Sequence, residues 1–384
     1  MPRPRRSGDA AMSRLALAAG LLLALALAAC AGAARPPQPA SPAGSAARPA
    51  QPADSGASGA PAAASPTSGQ AADLPPTPPA RTTLRFPYSA IGGSMAVGWI
   101  AKEAGYLADE GIDAEMEYIA TSTTFTQALL AGEMQIGMGG LEALVASNAA
   151  GADLVGLAVS TDRFVFRLYA RPGIGSLAEL RGQRLAVART GSTSYTAAQL
   201  LLRRVGLEAG RDVEMLSAGG TPEMYAALES GAAQAALLPP PMSFQADAAG
   251  YPVLADTIEE DLPFHQSLLV TTRRYVAEQE DVVRRVVRAY VRAVARSKLD
   301  KEYYKRVLAQ YAQITDPDVL EKTWAIQDRV QPRVPYFRPE ALQIAIDAVA
   351  EQRPEVRGAT PQDFVDERFL REFDQSGYIA SLYP

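Results

Sequence analysis

Ala188-Arg-Thr-Gly-Ser-Thr-Ser-Tyr195, followed by the apolar run 197–205, decides how the rest of the chain is read. Ahead of it, Arg184-Leu-Ala-Val-Ala188 is a short aliphatic run near Gly182 and reads as a buried strand. Behind it, Ala198, Leu201, Leu202 and Val205 recur at helical spacing. A strand, a glycine-hydroxyl turn and a helix together aim free backbone N–H groups and hydroxyls at one point. That point suits a small anion or a strong hydrogen-bond acceptor. The plainer reading is that Ser192 to Ser194 only cap the helix.

The pattern recurs on both sides. Thr83-Leu-Arg-Phe-Pro-Tyr88 reads as a first strand, Ser89-Ala-Ile-Gly-Gly-Ser94 as a turn, and 95–104 as a helix. Residues 111–118 alternate like a strand, Thr121 to Thr124 cap a helix carrying Phe125, Ala128 and Leu129, and 132–139 is a short strand. Gly140-Leu-Glu142 opens a helix over 143–150, and 154–159 is a fourth strand. Strands alternating with helices predict a parallel sheet covered on both faces. Residues 164–170 read as a strand leaving this unit, and Ser176-Leu-Ala-Glu179 as a capping box. A second β-α series follows: strand 213–216, a helix opened by Thr221-Pro-Glu223, strand 233–238, helix 242–249 and a short strand at 253–254. Residues 267–271 read as a strand crossing back. The remainder is helical, with Val283, Val286, Val287, Tyr290 and Val294 on one side of a helix over 282–295, and is expected to pack on the first unit.

The two series match at a fixed offset. Gln127-Ala-Leu-Leu-Ala-Gly132 aligns with Ala226-Ala-Leu-Glu-Ser-Gly231, Ala149-Ala-Gly151 with Ala248-Ala-Gly250, and Gly111 with Gly210, all 99 residues apart. Coincidence in an Ala-rich chain is one explanation; two lobes of like design facing one another is the other.

The amino terminus has a different character. Arg3, Arg5, Arg6 and Arg14 precede a Leu/Ala run over 15–29 that is short for a membrane span and fits a secretion signal. The run ends in Leu27-Ala28-Ala29-Cys30, and Cys30 is the only cysteine in the chain, so no internal disulfide forms. This layout resembles the bacterial lipoprotein signal, which implies a lipid on Cys30 and attachment to a membrane. Residues 30–81, mostly Ala, Pro, Ser, Gly and Gln, cannot bury enough apolar area to fold. As a flexible tether they reach on the order of 40 Å.

Composition narrows the function. The formal charge of −5 becomes −8 once residues 1–29, with four Arg and one Asp, are removed, which argues against nucleic acid. A single histidine, His265, and a single cysteine exclude most His-dependent triads, zinc sites and thiol catalysis. No cofactor or metal is expected.

Gly98-Trp-Ile-Ala-Lys-Glu-Ala-Gly-Tyr-Leu-Ala-Asp-Glu-Gly-Ile-Asp113, Gly132-Glu-Met-Gln-Ile-Gly137, Leu177-Ala-Glu-Leu-Arg-Gly182, Gly191-Ser-Thr-Ser-Tyr195 and Thr360-Pro-Gln-Asp-Phe-Val-Asp366 carry a further resemblance. From about residue 82 to its end, the chain resembles periplasmic solute-binding proteins of ABC importers, in the nitrate/sulfonate/taurine and thiamine-precursor (NMT1/THI5-like) group. The resemblance implies an α/β fold of type II: two lobes, each a mainly parallel sheet flanked by helices, with the helical C-terminal region on lobe one. It places 82–168 and 270–384 in lobe one and 169–269 in lobe two, with crossings near 167–172 and 267–272. It also implies a small-molecule ligand, ABC permease subunits as partners, a monomer, and no catalysis. A pyrimidine-synthesising enzyme of thiamine biosynthesis shares this ancestry. It carries a cysteine-rich motif and a reactive histidine that this sequence does not match.

In an open parallel sheet the ligand lies beyond the carboxyl ends of the strands. That selects Tyr88, Ser89, Gly93, Ser94, Thr123, Gly140 and Glu142 from lobe one, and Gly191, Ser192, Thr193, Tyr195, Pro240 and Met242 from lobe two. Arg163 and His265 lie by the crossings. Ser94, Ser192 and Thr193 are expected to hydrogen-bond an anionic or carbonyl end, and Tyr88 or Tyr195 to stack on the ligand body. Glu142 is either a surface residue favoured by the helix dipole or a cleft residue. In the cleft it favours an amine or ring N–H and disfavours plain nitrate. Arg163 and Arg189 are anion candidates or paired surface residues, His265 is a contact or a structural residue, and Trp99 is expected in the core. A tethered sensor domain would share all of these features.

Overall fold

A computed structural model describes residues 81–119, 122–260 and 262–384, without the side chains of Ser122 and Thr123. The expected signal segment, Cys30 and residues 30–80 of the tether lie outside the described residues.

Two five-stranded sheets form the frame. The first contains β1 (Thr82–Tyr88), β2 (Ile112–Tyr118), β3 (Gly137–Gly139) and β4 (Leu154–Arg163). The chain then builds the second from β5 (Arg167–Ala170), β6 (Arg184–Val187), β7 (Glu214–Ser217), β8 (Ala235–Leu238) and β9 (Val253–Asp256). It returns through β10 (Pro263–Thr272) into the first sheet. The strand orders are β2-β1-β3-β10-β4 and β7-β6-β8-β5-β9. In each sheet four strands run one way, and the strand arriving from the other half, β10 or β5, runs antiparallel between two of them. The sheets are therefore mixed, with a parallel majority. Their central strands are buried on both faces, which is why β6 (Arg-Leu-Ala-Val) and β8 (Ala-Ala-Leu-Leu) read as apolar runs.

The helices α1 (Ala96–Glu103), α2 (Ser122–Ala131) and α3 (Leu141–Ala149) connect the strands of the first sheet. In the second sheet the connectors are α4 (Thr193–Arg204), α5 (Thr221–Ser230) and α6 (Met242–Ala248). The halves coincide element by element. β1 and β6 end at Tyr88 and Val187, β2 and β7 at Tyr118 and Ser217, and α2 and α5 span Ser122–Ala131 and Thr221–Ser230, each pair 99 residues apart. The offset in the sequence is thus a repeated β-α design with equivalent strand orders. In sheet membership the chain changes halves between Arg163 and Arg167 and again between Asp256 and Pro263, several residues before the 168/169 and 269/270 divisions.

The carboxy-terminal third forms α7 (Glu280–Leu299), α8 (Lys301–Ala312), α9 (Pro317–Val330), α10 (Pro339–Ala350) and α11 (Arg368–Gln375). Val283, Val286, Val287, Tyr290 and Val294 of α7 are buried in one cluster with Trp99 and Ile100 of α1, as the spacing predicts. Asp316 caps α9 through the Asp318 and Val319 N–H groups, ahead of Pro317. One local expectation is corrected: the third strand begins at Gly137 and not at 132, because 133–136 are irregular and lead into it. Thr360 and Asp363 form a capping box on a short 3₁₀ turn, Pro361–Phe364, and α11 starts after it, at Arg368.

Gly137 shows how tightly β3 is set. A Cβ there would lie 2.4 Å from the Pro87 carbonyl oxygen and 2.6 Å from its ring, so strand must move against strand. Gly137→Ala is expected to lower stability by about 1–3 kcal/mol, read as a reduced denaturant midpoint with an unchanged slope.

Candidate functional site

The carboxyl ends of the parallel strands in each half carry the loops that open the helices, and two of these helix starts meet across the gap between the halves. α3 starts after Gly140, with extended backbone at its cap, and α4 starts after Ser192. Each helix start presents N–H groups without intrahelical partners and the positive end of its dipole. Between them stands Glu142, in the first turn of α3 and only 3% exposed.

The turn at 188–195 assigns its three hydroxyls different tasks. The Ser192 hydroxyl donates to the Arg189 carbonyl at 2.7 Å and accepts from the Tyr195 N–H at 3.4 Å, capping α4. The Ser194 hydroxyl accepts from the Ala188 N–H at 2.9 Å. Both are used in building the turn, as the plainer reading expects. The Thr193 hydroxyl instead crosses to the other half and donates to Glu142 Oε2 at 2.8 Å. Gly191 provides the reversal with φ +73°. Gly140 stands beside the same contact, since a Cβ on it would be 3.7 Å from Thr193 Oγ1 and 3.8 Å from the Gln266 carbonyl oxygen.

Glu142 is electrostatically unusual. Burial pushes its carboxyl up to about 7, partly offset by its own backbone N–H and by the Thr193 and Thr196 hydroxyls. Oε1 is buried and has no hydrogen-bond partner among the described residues. The residue borders a cavity of about 40 Å³ between α3, α4 and the end of α10, lined also by Gly191, Tyr195, Thr196, Gln199 and Gln352. Just past α10, Glu351 accepts from Gln199 Nε2 at 2.8 Å and pairs with Arg203, both on α4. On another side Arg329 of α9 pairs with Glu259 at 2.5 Å, and the Lys322 ammonium lies 5.8 Å from the Phe244 ring centre. The C-terminal helices therefore pack on the first half, as expected, and also touch the second. The residues of α4 that line the cavity, Tyr195, Thr196 and Gln199, are polar positions at helical spacing beside the apolar Ala197, Ala198, Leu201 and Leu202, and that signal was available in the sequence.

Other expected site residues sit elsewhere. Tyr88 belongs to an aromatic group, edge-on to Trp99 at 5.4 Å and beside Tyr118 at 5.6 Å, with burial and Tyr118 raising its phenol. The Ser89 N–H donates to the Met138 carbonyl. The Gly93 and Ser94 carbonyls accept from Tyr304 and Ser160, so their turn is anchored in the first half. Pro240 approaches that turn from the second half: a Cβ on Gly92 would lie 3.7 Å from its carbonyl oxygen. Met242 packs against the core of the second half. Arg163 lies 3.5 Å from Asp162 where the chain crosses. The Thr123 side chain lies outside the described residues. His265 is wholly buried; its Nε2 accepts from the Arg338 N–H at 2.8 Å and its ring stands edge-on to Phe337. Burial holds His265 down to about 3, so the ring is neutral and serves packing. Among the described residues no group of His, Cys, Asp and Glu is arranged to hold a metal ion.

A family model described as NMT1/THI5 like matches residues 94–298. No curated protein sequence matches. Solved structures share the fold at low identity. The alkanesulfonate-binding protein SsuA from Xanthomonas axonopodis pv. citri bound to MOPS aligns over 75% of this chain and 99% of its own at 20% identity, TM-score 0.62. The periplasmic nitrate-binding protein NrtA from Synechocystis PCC 6803 aligns over 79% and 91% at 15% identity, TM-score 0.63. A mutant of DszB in complex with biphenyl-2-sulfinic acid aligns over 77% and 99% at 16% identity, TM-score 0.59.

The Glu142 carboxyl sets a pH dependence. Its value is raised from 4.5 to about 7 in the folded chain, so between these pH values the folded state holds a proton that the unfolded state has lost. The stability it contributes is full below 4.5 and is lost as pH rises through 7, up to about 3 kcal/mol. Glu142→Gln, which mimics the protonated form, should match the parent Tm near pH 4.5 and exceed it by roughly 5 °C at pH 8. Equal shifts at both pH values would exclude this role.

Proposed function

Because the chain belongs to the NMT1/THI5-like family, we propose that it captures a small solute outside the cytoplasm and delivers it to an ABC-type importer, by closure of its two lobes. The observation that carries this reading is the meeting of two helix starts from opposite halves, joined by the bond from Thr193 to Glu142. A site divided between two lobes is completed only when they close, so a solute that bridges them shifts the equilibrium toward closure. SsuA and NrtA, which share the fold, bind alkanesulfonate and nitrate, and an aminopyrimidine-like compound is a third ligand class compatible with the family.

In this reading residues 1–29 are a secretion signal, Cys30 carries a lipid, and the tether over 30–81 holds a monomeric body at the cell membrane within reach of the permease. The lobes comprise 82–168 with 270–384, and 169–269. Binding without turnover fits the side chains at hand. The only imidazole is buried, neutral and engaged through Nε2, and the hydroxyls of the 188–195 turn have no base beyond a carboxyl raised toward neutrality. The enzyme reading rests on DszB, which shares this fold.

A thermal-shift screen of the purified chain against sulfonates, nitrate, aminopyrimidines, amino acids and aromatic acids tests the proposal. A ligand is expected to raise Tm in proportion to ln(1 + [L]/Kd) and to be recovered unchanged. Conversion of the bound compound would favour the enzyme. The contacts of Glu351 to α4 hold the lobes together, so Glu351→Ala should weaken the ligand about threefold to tenfold in calorimetry, while leaving the denaturant slope unchanged.

A further inference from the structure

Resting on the solute-binding reading, we propose that closure of the two halves takes up a proton from solvent at Glu142, so that the protein holds its solute more tightly in acid than in alkali. The carboxyl stands at the seam. It belongs to the first turn of α3 in the first half, while the Thr193 and Thr196 hydroxyls that bond it come from α4 of the second. It is almost wholly buried, and Oε1 has no hydrogen-bond partner among the described residues. The groups that favour its charge are its own backbone N–H and these two hydroxyls, all of them neutral. A buried carboxylate held only by neutral donors is relieved by a proton.

The ionisable groups on the elements packed around it act elsewhere. On α4, Tyr195 is a phenol raised by burial, Arg203 pairs with Glu351, and Arg204 pairs with Glu260. Arg189 lies in the turn before α4, and Arg353, past α10, lines the same cavity. Glu340 and Asp347 of α10, and Glu355 and Arg357 of the 3₁₀ turn after it, are exposed. On β4, Asp162 and Arg163 stand side by side at the crossing, and His265 of β10 is neutral. No ionisable residue occurs in α2. None of these charges is a cause of the raised value, which comes from burial.

The sign follows from the geometry. With the halves apart, α4 and its hydroxyls withdraw, water returns, and the carboxyl regains its ordinary value of 4.5; with the halves together, burial holds it at about 7. A value raised on closing means that closing binds a proton between these limits, close to one per molecule at about pH 6. The gain is complete below 4.5 and is lost as pH rises through 7. From pH 5.5 to pH 8 the ratio of closed to open molecules is expected to fall about 25-fold. Affinity for any solute that needs the closed form falls with it.

The test reads the gap between the halves and needs no solute. Gly92 and Pro240 approach one another across it, and Ile91 and Gln245 are exposed on either side. Spin labels on Ile91→Cys and Gln245→Cys, in a full chain carrying Cys30→Ser, report the distance by pulsed dipolar spectroscopy. The ratio of the short-distance to the long-distance population is expected to fall at least about tenfold from pH 5.5 to pH 8, and less than about threefold once Glu142→Gln is added. A smaller fall in the parent overturns the inference, and so does a larger one in the variant. Should the variant not fold, the parent's profile decides alone by the same tenfold limit. A solute found by the thermal-shift screen, with no pH effect on the distance, removes the proton and leaves the solute-binding reading intact. A pH effect with no solute found removes that reading and leaves the proton-linked closure standing.

Discussion

The hydrogen bond from Thr193 to Glu142 is the contact on which the site depends. It joins the first turn of a helix in one half to the first turn of a helix in the other. Two dipoles point at one carboxyl, and burial works against its charge. These opposing effects leave the group near neutrality, and they act together only while the two halves are in contact. Under the proposed function, opening the halves would return water to the carboxyl and remove its threonine donor, so this one residue would report on closure.

What brings the two turns face to face is the exchange of strands. Each half is a parallel β-α series completed by an antiparallel strand that enters from the other half, β10 in the first sheet and β5 in the second. The exchange puts the two connections side by side, at 164–166 and 257–262, and leaves the strand ends of both series free to confront one another. Arg329 with Glu259 and Glu351 with α4 add contacts from the C-terminal helices on either side. They are partly exposed pairs of modest individual strength, so the contact between the halves rests on several weak pairs around one buried bond.

Much of this was legible in the sequence because it is periodic. Apolar runs between glycines marked the doubly buried strands, and the matching segments around Gly132 and Gly231 marked the repeat. Gly140-Leu-Glu142 and Thr221-Pro222 marked the starts of α3 and α5 through local chemistry. The antiparallel strands were less legible, since strand direction is a property of the connection and leaves no trace in composition. The site was legible as a set of loops but not as contacts. Ser192, Thr193 and Ser194 are near equivalents in sequence, yet two build their own turn and one crosses the cleft. Tyr195, Thr196 and Gln199 were visible as a stripe, but their partner Glu351 lies 152 residues from Gln199. His265 drew notice as the single histidine, and its burial beside Phe337 is a tertiary fact.

Under the proposed function, the protein must recognise its solute and change shape in the same event, because a ligand shifts an equilibrium only by its differential affinity for the two states. A contact confined to one lobe would bind without closing. Glu142 meets part of that condition, since its Oε2 is held by the opposite half while its Oε1 is buried with no hydrogen-bond partner among the described residues. Burial raises this carboxyl only where the two helix starts meet, so under the proposed function a solute that favoured that contact would be felt at this one side chain.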